Sequence, residues 1–100
     1  MFTGIVAATG TVLSLEPVTS ASGEVESAVL TVNAGEIISD LAHGGSLAIN
    51  GVCLTATRTQ ELGEGIFAAD MMGETLARTN LGTLTQGSRV NLERCMPAGG

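Results

Sequence analysis

Lysine, tryptophan and tyrosine are absent from this 100-residue sequence, which holds only two phenylalanines, two prolines, two cysteines and one histidine. Each scarcity removes a class of function. Four arginines face ten acids, for a formal charge of −6. A basic stripe is lacking, so the composition argues against nucleic acid as a partner and against an anionic membrane surface. No apolar run approaches the ~20 residues that span a bilayer. The start, Met1-Phe2-Thr3-Gly4, lacks the basic n-region of a secretory signal. Cys53 and Cys95 stand far apart without metal-ligand spacing, and His43 with those two thiols falls short of a four-ligand zinc site. The expectation is therefore no metal and a cytoplasmic protein with reduced thiols.

What is present points to one small β domain. Hydrophobic residues are 44% and charged residues 14% of the chain, which argues against intrinsic disorder. The length fits a single core, built from Val, Leu, Ile, Ala and Met. Fourteen glycines suit tight turns between short elements.

The segment 4–15 reads as two short strand pieces with a bend or bulge at Gly10. Pro17 to Gly23 reads as a loop of turn formers. Glu26 to Val32 alternates like a strand with one buried face. Ile37, Ile38 and Leu41 sit at one-turn spacing before Gly44 and Gly45, which predicts a short helix closed by glycine. In the β region 45–59, Asn50-Gly51 is the strongest hairpin signal of the chain. A polar turn over 61–65 precedes a strand over 66–69. Residues 74–81 suit one helix or helical turn, and Arg89 to Leu92 the last strand. Six strands and two short helices favour a sandwich or a small Greek-key barrel over an α/β fold.

Four ordered blocks go further: Met1-Phe2-Thr3-Gly4-Ile5-Val6; the run from Gly45 to Thr55; Phe67 to Leu76 with Thr79-Asn80-Leu81-Gly82; and Gly87 to Arg94. Together they resemble the N-terminal half of the riboflavin synthase family, in register over 1–96. The resemblance implies an all-β, six-stranded antiparallel Greek-key barrel with one or two short helices. It also implies that 1–96 is a lumazine-binding barrel and that 97–100 begins a linker toward a second barrel. The family enzyme needs no metal or redox cofactor. It dismutates two molecules of 6,7-dimethyl-8-ribityllumazine by transfer of a four-carbon unit, giving riboflavin and a ribitylamino-pyrimidinedione. Each barrel binds one lumazine, and a catalytic centre forms where barrels of two subunits meet. The expected partner is a small-molecule lumazine or flavin. The expected assembly is a homodimer for one barrel and a homotrimer for a two-barrel chain. The family also contains non-catalytic lumazine- or flavin-binding antenna proteins, the rival reading. A generic OB-like interaction domain is the third, opposed by the acidity and the few aromatics.

By this resemblance Gly4, Ile5 and Val6 supply backbone hydrogen bonds to the pteridine ring, although Ile5 and Val6 also read as ordinary core residues. Cys53, Leu54 and Thr55 match a binding segment. Cys53 is placed beside the ring as a nucleophile or orienting group, against the alternative of a small buried hydrophobe. Ser46 is a second catalytic candidate, or a polar residue at a strand start. Thr55 offers a hydroxyl that donates and accepts. Asp70, Met71, Met72, Gly73, Glu74 and Thr75 match a further ligand segment. Glu74 accepts from ribityl hydroxyls or sits solvated at a helix start. Thr75 caps a helix or binds ligand, and Met71 and Met72 form wall or core. His43 and Cys95 have no family role, and Arg78 and Arg94 are expected to pair with surface acids.

Overall fold

A computed structural model describes residues 7–39, 41, 45–59 and 63–95. Six strands form a closed antiparallel barrel: β1 (Ala7–Thr19), β2 (Val25–Asn33), β3 (Ser46–Ile49), β4 (Val52–Thr59), β5 (Ile66–Met72) and β6 (Arg89–Arg94), in spatial order β1-β2-β5-β4-β3-β6. Three short helical pieces join them: η1 (Gly35–Ile38), α1 (Gly73–Arg78) and η2 (Asn80–Thr83). No helix among the described residues is long and apolar enough to cross a membrane. The all-β barrel expected from the sequence is thus observed.

Closure depends on β1. Its first part pairs with β6 from Ala7↔Glu93 to Thr11↔Arg89, and from Thr11 onward it pairs with β2. Gly10 stands at this handover. It is not the bulge the sequence suggested; the register slips instead between Val12 and Ser14, leaving Leu13 as the extra residue. Such a slip sharpens the twist a closed barrel needs. The predicted loop 17–23 begins as strand, since β1 runs to Thr19 and Pro17 pairs with Ala28; the turn itself is Ser20–Glu24, closed by Ser20 N–H donating to Glu24 O at 2.7 Å. A proline is tolerated because β6 does not flank β1 there.

Alternation fills the interior. Ala28, Leu30 and Val32 of β2 face Phe67, Ala69 and Met71 of β5, with Val12, Leu47, Ile49, Leu54, Val90 and Leu92 completing the core. The Asn50-Gly51 hairpin forms as predicted, with φ of 51° and 84°, the left-handed pair that a two-residue turn requires. Asn50 also clamps the hairpin to β6: its Oδ1 accepts from Asn91 N–H at 2.8 Å, and its own N–H donates to Asn91 O at 2.8 Å.

Where the sequence predicts a glycine-closed helix around Ile37, Ile38 and Leu41, the described residues form a 3-10 turn, Gly35–Ile38, with Ile37 and Ile38 buried in the core, and Gly44 lies outside the described residues. Arg94 Nη1 donates to Ile37 O at 3.1 Å, which ties the end of β6 to η1. The helix predicted over 74–81 is broken in two at Thr79, which is extended (φ −126°, ψ 166°). Its hydroxyl donates to Thr75 O at 2.7 Å and accepts from Leu81 N–H at 3.2 Å, ending α1 and starting η2. This drives Leu81 into the core.

Candidate functional site

The β4–β5 ladder is incomplete. It runs from Thr59↔Phe67 through Arg58↔Ala68 to Ala56↔Ala69, with Thr57 as the extra residue. Beyond Ala56 the two strands part: among the described residues Val52–Thr55 pair with β3 alone and Asp70–Met72 with β2 alone. Two strand edges therefore face one another across a fork at the α1 end of the barrel. Thr57 Oγ1 donates to Ala68 O at 3.2 Å, beside the point where the strands separate.

Side chains on the rims follow strand parity. Cys53, Thr55 and Thr57 of β4 point outward and are exposed, whereas Leu54 and Ala56 point inward and are buried. Across the fork Asp70 and Met72 point outward, Met72 being 64% exposed, while Met71 is a core residue at 1%. Leu54 and Met71 accordingly have only main-chain groups to offer a ligand. Ser46 is half-buried and is the register partner of Thr55 on β3, so the two hydroxyl residues stand side by side on the outer face.

The α1 rim supplies the remaining candidates. Gly73 begins the helix where a Cβ would come within 3.1 Å of Glu26 O, so glycine lets α1 lie close against β2. Glu74 is exposed and pairs with Arg78 at 3.3 Å, one turn on. That is the surface pairing expected for Arg78. Thr75 is half-buried, and its carbonyl accepts from both the N–H and the hydroxyl of Thr79. The N-cap position of α1 is Met72, without a side-chain cap, so Thr75 is not the capping residue. Gly4, Ile5, Val6 and His43 lie outside the described residues.

Cys53 departs from expectation. It forms a disulfide with Cys95, the residue after β6, with Cα atoms 6.8 Å apart. The expected reduced thiols are not what the structure holds. The two residues approach because β3 alone separates β4 from β6: Cys53 pairs with Ala48, and Ala48 with Glu93, so Cys53 and Cys95 share the outer face. Nothing in their separation along the chain signals this. The fork and the Thr57 bulge were likewise not read from the sequence, because cross-strand partners set both.

Beside the fork the outer surface of β1, β2 and β5 forms a groove bordered by Ser14, Glu16, Thr31, Thr57 and Asp70. No group of three or more metal-ligating side chains occurs among the described residues.

The main-chain groups that β4 and β5 do not exchange with one another along the fork are those a further strand would use. A flat heterocycle with alternating N–H and C=O groups can take that place, as an added strand does. The hydroxyl and carboxylate groups on the rims can then hold a polyhydroxy substituent.

The fold is a closed six-stranded barrel with a forked β4–β5 ladder, and the chain belongs to the lumazine binding domain family, whose match covers residues 3–95. It is 48% identical over 99 residues to the riboflavin synthase of Mycobacterium tuberculosis, covering 99% of this chain and 45% of that protein. It is 42% identical over 100 residues to the riboflavin synthase of Bacillus subtilis, covering all of this chain and 42% of that protein. Against the riboflavin synthase of Saccharomyces cerevisiae it is 41% identical over 97 residues, covering 96% of this chain and 40% of that protein. The chain thus spans less than half the length of these curated relatives.

Proposed function

We propose that this chain is a riboflavin synthase-type barrel that binds 6,7-dimethyl-8-ribityllumazine and riboflavin at the β4–β5 fork. One observation carries the reading. The two segments that resemble the family's ligand segments, 53–55 and 70–75, border the stretch beyond Ala56↔Ala69 where β4 and β5 part. The ring pairs with the exposed strand edges, helped by Gly4-Ile5-Val6. Thr55 and Ser46 address ring carbonyls, and Asp70, Glu74 and Thr75 receive the ribityl hydroxyls. No metal or redox cofactor takes part.

In a two-barrel protein of this type, two such sites face one another and hold two lumazines. One donates a four-carbon unit to the other, which yields riboflavin and the ribitylamino-pyrimidinedione. Fixing both molecules is a large part of the rate gain, because a bimolecular step becomes effectively unimolecular. The isolated barrel therefore binds ligand and turns over weakly or not at all. Exposed Val18, Val25 and Met72 support pairing of two barrels, as a homodimer here and a homotrimer of two-barrel chains. We read the strand order as a Greek key and the working compartment as the cytoplasm. The antenna-type reading is less favoured, since the relatives compared are named as synthases.

Titration with riboflavin, followed by its fluorescence, tests the proposal. Thr55→Ala and Glu74→Ala are each expected to weaken binding about tenfold with an unchanged melt, the cost of a hydrogen-bonding partner lost from a buried ligand group. Unchanged riboflavin fluorescence at all chain concentrations refutes ligand binding. Riboflavin formation from the lumazine at the rate of a two-barrel synthase refutes the claim of weak turnover.

A further inference from the structure

We propose that the Cys53–Cys95 disulfide is a redox gate on the ligand site: ligand is held when both cysteines are thiols and released when they are joined. The gate rests on the functional reading above, which places ligand beside Cys53. Its own basis is structural. Cys53 is two residues from Thr55 on the same exposed face of β4, at the rim of the fork. Its partner Cys95 lies across β3 at the end of β6, on the side of Cys53 away from β5.

Joining the two sulfurs draws the Cys53 side chain toward β6 and away from the fork. It also removes the S–H, so the side chain can neither donate a proton nor act as a nucleophile toward a bound ring. The bond further fastens the β4 rim to β6, so the rim can no longer adjust to a ligand. Cys95 contributes nothing to the fork itself, and its place in the fold is explained by the bond it makes.

The chemistry balances with a low-molecular-weight disulfide such as oxidised glutathione. One protein thiolate attacks it, forming a mixed disulfide and releasing one glutathione thiolate. The second protein thiolate attacks the protein sulfur of that mixed disulfide, forming the Cys53–Cys95 bond and releasing the second glutathione. Two electrons pass from the protein to glutathione, and the two protein thiol protons end on the glutathione thiols. Reduction by a dithiol reverses the sequence. In a reducing compartment a disulfide of this kind acts as a sensor rather than a permanent brace.

The test uses the wild-type chain and Cys95→Ser, each reduced with dithiothreitol or oxidised with diamide and then freed of reagent. Alkylation and mass spectrometry count free thiols, and riboflavin titration reads affinity. Reduced wild type is expected to bind at least about tenfold more tightly than its disulfide form. Cys95→Ser is expected to bind equally after either treatment, and dithiothreitol to restore the oxidised wild type. A wild-type chain that keeps two free thiols after diamide overturns the gate, as does a verified disulfide form that binds as well as the reduced one. In both cases the site reading stands if reduced protein binds riboflavin. If reduced wild type and Cys95→Ser both fail to bind, the functional reading falls and the gate with it.

Discussion

Replacing Gly10 by alanine should destabilise the barrel for a purely steric reason. A Cβ built on Gly10 lies 2.8 Å from Asn33 O, 2.8 Å from Leu92 Cδ1 and 3.2 Å from Val32 Cγ1. The leucine methyl can rotate aside, but the carbonyl cannot. Asn33 is paired with Thr11 on one side and Ile66 on the other, so its backbone is held between two strands. The position has no left-handed backbone that glycine alone could adopt. Alanine therefore gains roughly 0.4–1 kcal/mol by restricting the unfolded chain. Overpacking a closed core costs about 1–3 kcal/mol, so the clash wins by about 1–2 kcal/mol. For a domain of this size that lowers Tm by about 5–15 °C. Urea unfolding of Gly10→Ala should show a lower midpoint with an unchanged slope. Trimming Leu92 to Val in the same chain should relieve only part of the loss, because the carbonyl contact remains. A midpoint at or above that of wild type would refute the packing argument.

Thr79→Ala should cost about 1 kcal/mol, because the hydroxyl both receives Leu81 N–H and reaches back to Thr75 O; recovery in Thr79→Ser, measured by the same unfolding curve, separates the hydroxyl from the methyl. Reduction of Cys53–Cys95 should lower stability by up to about 4 kcal/mol, from the entropy of a cross-link closing 42 residues of chain, and a thermal melt unchanged by dithiothreitol would contradict it. Phe67→Ala should cost about 3–5 kcal/mol, since the ring is fully buried between the β2 and β4 neighbours of β5. A far-ultraviolet melt of that variant indistinguishable from wild type would remove Phe67 from the centre of the core.

The sequence by itself determined the class of the fold and most of its elements. Alternation in Glu26–Val32 predicted a strand with one buried face, and Ala28, Leu30 and Val32 form that face, because a half-buried strand must repeat with period two. Asn50-Gly51 specified its turn, because few residue pairs accept two left-handed positions in succession. The ordered blocks singled out residues 53–55 and 70–75, which the structure places on β4, β5 and α1. Tertiary structure decided everything that depends on which strand lies beside which. Pro17 became part of a strand because β6 had already left that edge of β1. The 74–81 helix broke because the Thr79 hydroxyl found better partners in an extended backbone and Leu81 had a core to enter. The fork exists because β4 stays with β3 and β5 stays with β2 after their own ladder stops at Ala56↔Ala69. Cys53 and Cys95 meet because a single strand separates theirs, an adjacency that arises from barrel closure and leaves no periodic trace in the chain.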